Sequence, residues 1–98
     1  MTFYLNAGKL YEAFCKALPW GSKSLYIQRD NHELLLCLEV ICQRNVWRRW
    51  FPEEVVMAWW DEQIGVQAAY CARECRERLG DMIAIERKES ADAQRIQP

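Results

Sequence analysis

The sequence contains few of the residues around which enzyme active sites are built. Its 98 residues include one histidine, four glycines and three prolines. Nothing in the sequence brings a cysteine and an oxyanion site to His32, as a catalytic dyad would require. A glycine-rich phosphate loop, a metalloprotease histidine pair and a nucleophile elbow are all missing. We therefore predict that the protein is not an enzyme and requires no cofactor.

The chain also lacks a charge excess and a long hydrophobic run. Thirteen basic residues against fourteen acidic ones give a formal net charge of −1, which disfavours direct nucleic-acid binding. The longest apolar run, Leu34–Cys42, contains Glu39 and is far shorter than the ~20 residues of a membrane-spanning helix. Residues 1–6 do not resemble a secretory signal, so the five cysteines are expected to be free thiols in a reducing cytoplasm.

Two segments in the first half of the chain have patterns typical of secondary structure. Residues 7–18 predict a helix that Asn6 caps, with Leu10, Phe14, Ala17 and Leu18 on one face; Pro19–Ser22 ends it. Ser24–Gln28 fits either a short strand or an extended lead-in. Asp30 and Glu33 fit a capping box, which favours a helix from about Asn31 to Trp50. The alternative is a hairpin that places Leu34, Leu36, Leu38 and Val40 on one face of a strand.

The second half predicts one long helix. Pro52 suits a helix start, the acidic Glu53 and Glu54 follow in the first turn, and Gly80 suits the end. The apolar residues that recur every three or four positions are Val56, Trp60, Ile64, Ala68, Cys71, Cys75 and Leu79. A second apolar row beside this stripe comprises Val55, Trp59, Val66 and Tyr70. The second row needs a cover, which is the first helix, a second copy or a host partner. The alternative is that both rows form one wide core face in a compact bundle.

These patterns together predict an all-α fold. We expect a small bundle of three to four helices, with one long helix from about Pro52 to Leu79. A short strand or hairpin near residues 24–41 is the alternative for that segment. A last short helix is expected to begin at Asp81. Residues 1–88 would form a single helical domain, and residues 89–98 a polar, flexible tail.

The densest cluster of aromatic residues marks the candidate site. Four of the five tryptophans fall between Trp47 and Trp60, and two arginines lie among them. Trp and Arg dominate binding hot spots because they desolvate a large area at modest entropic cost. An equally weighted interpretation packs Trp47 and Phe51 inward and leaves the arginines solvated. The residues predicted to bind a partner are Trp47, Arg48, Arg49, Trp50, Phe51 and Trp59.

The cysteines permit a weaker hypothesis of a zinc site. Cys71 and Cys75 would point the same way on a helix, and Cys37 with Cys42 could complete a four-thiolate set. The spacings differ from the usual two-residue gap, and free cysteine is among the most buried residue types. We therefore predict no metal site.

The segments Gln28–Leu36, Arg48–Pro52 and Met57–Trp60 resemble the small early proteins of lambdoid phages, and within these the anti-RecBCD accessory proteins. The resemblance extends over the whole chain but includes no diagnostic motif, so it assigns no residue a role. It implies a protein of the host cytoplasm that binds the RecBCD helicase–nuclease through its RecC subunit and redirects DNA-end processing towards phage recombination. Two alternatives are a small helical DNA-binding regulator and a self-associating structural protein that forms a homo-oligomer.

Overall fold

The computed structural model describes residues 2–30, 33–59 and 63–80. The elements in chain order are β1 (Thr2–Tyr4), α1 (Lys9–Ala17), β2 (Ser22–Asp30), β3 (Glu33–Cys42), β4 (Asn45–Pro52), α2 (Glu53–Trp59) and α3 (Ile64–Leu79). The strands form one antiparallel sheet in the order β1-β2-β3-β4. The fold is therefore α+β, and the all-α prediction is wrong.

The predicted helix from Asn31 to Trp50 is instead a β-hairpin. Asp30 and Glu33 pair across β2 and β3 and cap no helix, while Asn31 and His32 lie outside the described residues. Cys42 pairs with Asn45, so Gln43 and Arg44 form a two-residue turn. Gln43 has φ 58°, the left-handed conformation that such turns require. The hairpin alternative was the better interpretation, since Leu36, Leu38 and Val40 all join the core.

The long helix predicted from Pro52 to Leu79 is two helices. Pro52 is the last residue of β4, α2 ends at Trp59, and α3 begins at Ile64. Trp60 and residues 61–62 lie outside the described residues, as do the helix predicted from Asp81 and the tail at 89–98. Glu53 and Glu54 do occupy the first turn of α2, and Gly80 ends α3 with φ 42°.

The first helix is confirmed, but its predicted cap is wrong. Gly8 precedes α1, and the Asn6 side chain instead accepts a hydrogen bond from the backbone N–H of Leu25, 2.8 Å away. This bond ties the β1–α1 loop to β2. After α1, Gly21 adopts φ 85°, and a Cβ there would lie 2.9 Å from Val40 Cγ1. Only glycine allows the chain to approach β3 so closely as it enters β2.

The core lies between one face of the sheet and the helices. From the helices it takes Leu10, Phe14 and Leu18 of the α1 region, Val56 of α2, and Ala68, Cys71, Ala72, Cys75 and Leu79 of α3. From the sheet it takes alternate residues, including Leu25, Leu38 and Trp47. Among the described residues, the helices thus cover one face of the sheet and leave the other open. Of the second apolar row, Val66 and Tyr70 of α3 are exposed.

Candidate binding surface

The open face of the sheet carries a row of aromatic side chains that we call the aromatic ridge: Tyr4, Tyr26 and Trp50. The strand register places Tyr4 opposite Tyr26, Tyr26 opposite Cys37, and Cys37 opposite Trp50. The row therefore crosses all four strands. Centroids of the Tyr4 and Tyr26 rings are 5.6 Å apart, and those of Tyr26 and Trp50 are 5.9 Å apart. These are ordinary contact distances for aromatic pairs.

Cys37 forms the floor of the ridge. Its side chain is fully buried although it points to the open face, because the neighbouring Tyr26 and Trp50 rings meet above it. Burial raises the pKa of the Cys37 thiol, so it remains protonated near neutral pH. Burial is also the main reason that the pKa of Tyr26 lies above its ordinary value. Tyr26 and the thiol beneath it are therefore uncharged near neutral pH.

A charged pair lies beside the ridge. Arg48 Nε donates to Glu39 Oε2 at 2.6 Å, and the same carboxylate oxygen accepts a longer hydrogen bond, 3.5 Å, from the Tyr26 hydroxyl. Arg48 and Glu39 are cross-strand neighbours on the open face. The next cross-strand pair on this face, Ile41 and Val46, is exposed and apolar. The surface thus combines exposed apolar area with one neutralised ion pair.

The structure separates the residues that the sequence grouped as one site. On β4, Trp47 and Phe51 point to the core and are only 6% and 5% exposed. The Trp47 ring stacks on Phe14, and the Phe51 ring meets Trp59 of α2 edge-on at 4.9 Å. Trp47 and Phe51 thus belong to the core and Trp59 packs against it, while their role as partner anchors stays a prediction.

Arg48 and Trp50 remain on the open face, where Trp50 is 40% exposed. Arg49 points to the helix side but lies at its margin, with Nε 3.9 Å from Glu74 of α3 and the guanidinium 5.8 Å from the centre of the Phe51 ring. Sequence reasoning missed Tyr4 and Tyr26. If Ser24–Gln28 is assigned as a strand, the alternation of side chains places Tyr26 on the face away from the core. No local sequence signal indicates that Tyr4 pairs with β2.

The buried thiols do not form the four-thiolate set. Cys37 and Cys42 lie an odd number of residues apart on β3 and so point to opposite faces of the sheet. Within the described part of the chain, no group of three or more His, Cys, Asp or Glu side chains is arranged to hold a metal ion. Burial raises the pKa of Cys71 to about 11 and that of Cys75 to about 12.

An apolar groove of about 540 Å³ lies between α2 and the Leu5–Gly8 segment that leads into α1. Its walls include Ile27, Leu36, Val56 and Met57, and the lining residues with polar side chains are Tyr4, Asn6 and Glu53. Asn6 already accepts the hydrogen bond from Leu25. The groove therefore offers apolar area but no converging set of catalytic groups.

Comparison with known proteins gives no relative. The chain matches no known protein family, no curated protein and no solved structure. None of the helices among the described residues has the length and apolar content needed to cross a membrane.

Proposed function

We propose that this protein is a non-enzymatic binding protein that docks the open face of its sheet on another protein. The aromatic ridge is the observation that carries the proposal. Tyr4 and Trp50 are 68% and 40% exposed at the two edges of a face that the described helices leave uncovered. Tyr and Trp side chains lose little conformational entropy on binding and bury a large area, which makes them effective anchors.

The geometry of the ridge favours a protein partner over a nucleic acid. Proteins that bind single-stranded nucleic acid stack the bases on exposed aromatic ring faces, beside basic side chains that have no acidic partner. Here the ring planes of the two pairs are inclined by 55° and 87°, so the ridge offers no set of parallel ring faces. Among the described strand residues, Arg48 is the one cation whose position faces the open side, and its Nε is already paired with Glu39. A phosphate backbone would gain little from this surface.

The chemistry of the described residues supports a non-enzymatic role. The buried thiols of Cys37, Cys71 and Cys75 have pKa values above the ordinary range, whereas a nucleophilic cysteine needs a lowered one. The apolar groove also lacks convergent polar groups. The protein would therefore act by occupying a surface of its partner.

The resemblance to the anti-RecBCD proteins of lambdoid phages names the partner to test first. In this proposal the protein acts in the host cytoplasm, binds RecBCD through RecC, and alters DNA-end processing in favour of phage recombination. A steric or allosteric inhibitor of a large enzyme needs a compact body and one anchoring face, and the ridge supplies such a face.

The test compares Trp50→Ala with Tyr70→Ala in binding to purified RecBCD, together with the effect of each variant on its nuclease activity. Tyr70 is a matched control because it is an exposed aromatic residue on α3, away from the open face. We expect Trp50→Ala to weaken binding at least ~30-fold, the size typical of a hot-spot residue, and Tyr70→Ala to leave it unchanged.

Circular dichroism of both variants ensures that a loss of binding is not a loss of fold. Wild-type affinity for RecBCD in Trp50→Ala would contradict the proposed surface. If the wild-type protein does not bind RecBCD, the named partner is wrong. The class of function is then tested by capture from a bacterial lysate, where a specific partner must be retained by Tyr70→Ala and lost by Trp50→Ala.

A further inference from the structure

The outer edge of β4 is a long sheet edge. β4 is the last strand in the order β1-β2-β3-β4 and runs for eight residues, whereas β1 at the opposite edge has three. Within residues 2–30, 33–59 and 63–80, no strand pairs with the outer side of β4. Alternate backbone N–H and C=O groups along this side therefore point away from β3, as on any edge strand.

A polar trough runs along this edge. Its volume is about 540 Å³; β4 contributes Val46, Trp47, Arg48 and Arg49 to its lining, and α3 contributes Glu74, Glu77 and Arg78. A strand added to a sheet lies about 4.8 Å from its neighbour. The trough therefore provides space beside β4 for an extended chain, with α3 flanking that chain on the helix side.

The charges along the edge select the kind of chain. Alternation places Arg48 on the open face and Arg49 on the helix side, so an added strand would meet an arginine on both of its faces. The ion pairs with Glu39 and Glu74 use the Nε atoms of these arginines. Each guanidinium has four further N–H donors on its terminal nitrogens, which suit carboxylates. Arg78 adds a third positive charge, so the trough is lined by three arginines against the two carboxylates of Glu74 and Glu77.

The same arginines disfavour a second copy of the chain. In a symmetric antiparallel pairing of β4 with β4, side chains opposite each other must lie on the same face. The two registers that pair the most residues then place either Arg48 or Arg49 directly opposite its own copy. Like charges in that position destabilise a sheet, and charged residues on edge strands are a known protection against self-association.

We propose that the outer edge of β4 binds an extended acidic segment of a partner protein by strand addition. Backbone hydrogen bonds to β4 provide the affinity, and carboxylates that reach Arg48, Arg49 and Arg78 provide the selectivity. This site lies on the sheet edge and not on the aromatic ridge, so it holds or fails independently of the proposed docking face.

The experiment titrates the full-length protein with two fluorescein-labelled nine-residue peptides, one of alternating Val and Glu and one of alternating Val and Lys. The alternation places the charged side chains on one face, and binding with that face towards α3 brings the carboxylates to Arg49 and Arg78. We expect the Glu peptide to bind at least tenfold more tightly than the Lys peptide. Arg49→Glu should weaken binding of the Glu peptide at least tenfold. Arg73→Glu, an identical charge change at an exposed α3 position outside the trough, should weaken it less than twofold.

N-methylated peptides separate strand addition from simple charge attraction. Two Glu peptides are methylated on the backbone nitrogens of either the odd or the even residues, which blocks one edge of the strand at a time. One of them should lose at least tenfold in affinity, and the other should bind like the parent.

Three results would each overturn the inference. These are equal binding of the Glu and Lys peptides, unchanged binding of both methylated peptides, and no binding of the Glu peptide up to about 1 mM. Analytical ultracentrifugation tests for self-association. A stable dimer that is altered by Arg49→Glu and is not dissociated by the Glu peptide would assign the edge to a second copy of the chain. Tyr4→Ala, a ridge change on β1 at the opposite edge of the sheet, should leave peptide binding intact, so the ridge proposal and the edge proposal can fail independently.

Discussion

Replacing Trp47 and Trp50 separately by alanine tests the orientation of β4. The two residues are three apart, so a helix would place both on roughly one face, whereas a strand sends them to opposite faces. In the structure Trp47 is 6% exposed and stacks on Phe14, while Trp50 is 40% exposed on the aromatic ridge. The strand therefore predicts unequal losses of stability.

The size of the difference follows from the exposed fractions. The exposed fractions of the two tryptophans differ by about a third of the side-chain surface, which for a tryptophan of ~250 Å² is roughly 85 Å². At about 25 cal/mol per Å² this amounts to ~2 kcal/mol. Removal of Trp47 also leaves a void beside Phe14, which adds to its cost, whereas water fills the site of Trp50. We expect Trp47→Ala to lower the unfolding free energy by about 3–5 kcal/mol, and Trp50→Ala by at least ~2 kcal/mol less.

Urea denaturation followed by far-UV circular dichroism measures both losses without relying on tryptophan emission. With a slope of about 1–2 kcal/mol per molar urea, the two midpoints should differ by roughly 1–2 M. Equal losses, or a larger loss for Trp50→Ala, would refute the alternation on β4. That result would also remove the basis for placing Trp50 on a binding surface.

Two further perturbations test the backbone and the buried thiols. Gly21→Ala should lower the unfolding free energy by about 1–3 kcal/mol in urea melts, because φ is 85° and the new Cβ would crowd Val40. Gly65→Ala, where an added Cβ meets nothing within 4 Å, should be neutral or stabilising; a Gly21→Ala protein as stable as that control would contradict the account. The raised pKa values of Cys71 and Cys75 predict full stability below about pH 8.5, where both states hold the proton, and a decline as pH rises towards 11–12, because the unfolded chain ionises first. The urea midpoint should therefore fall between pH 8 and pH 10.5. A midpoint that rises over this range in both the wild type and a Cys71→Ala control would contradict the predicted direction.

Local sequence signals identified α1 and the end of α3 correctly. Leu10, Phe14 and Leu18 recur at helical spacing before a Pro-Trp-Gly-Ser break, and Gly80 follows the last buried residue of α3. These features depend on residues close together in the chain, which a single sequence displays directly.

The sheet depends on information that is not local. β3 contributes buried residues to both of its faces, Leu36 and Leu38 to the core and Cys37 to the floor of the ridge, so its run is apolar nearly all round and shows no period. The turn that would have revealed the hairpin has Gln43 in the left-handed conformation instead of the usual Asn-Gly pair. The acidic Asp30 and Glu33, which fit a helix cap, serve in a strand pair.

The candidate site shows the same division. The aromatic content near Trp50 was visible in the sequence, but the face that each residue occupies was not, because it depends on whether the period is 2 or 3.6. The ridge also requires Tyr4 of β1, which pairs with β2 although the whole of α1 lies between these two strands in the chain. Residues distant in the chain and brought together by the fold therefore define the surface that we propose as functional.

The order of the strands has a consequence for how the protein is made. Because neighbouring strands are also consecutive in the chain, the sheet can assemble from short-range contacts as the chain emerges from the ribosome. The apolar face of that sheet closes only when α3 supplies Ala68, Cys71 and Cys75 opposite α1. About 27 residues separate the end of β4 from the end of α3, which is roughly 1–5 s of synthesis. During that interval the nascent sheet exposes its core face, so chains that stop before α3 are expected to aggregate.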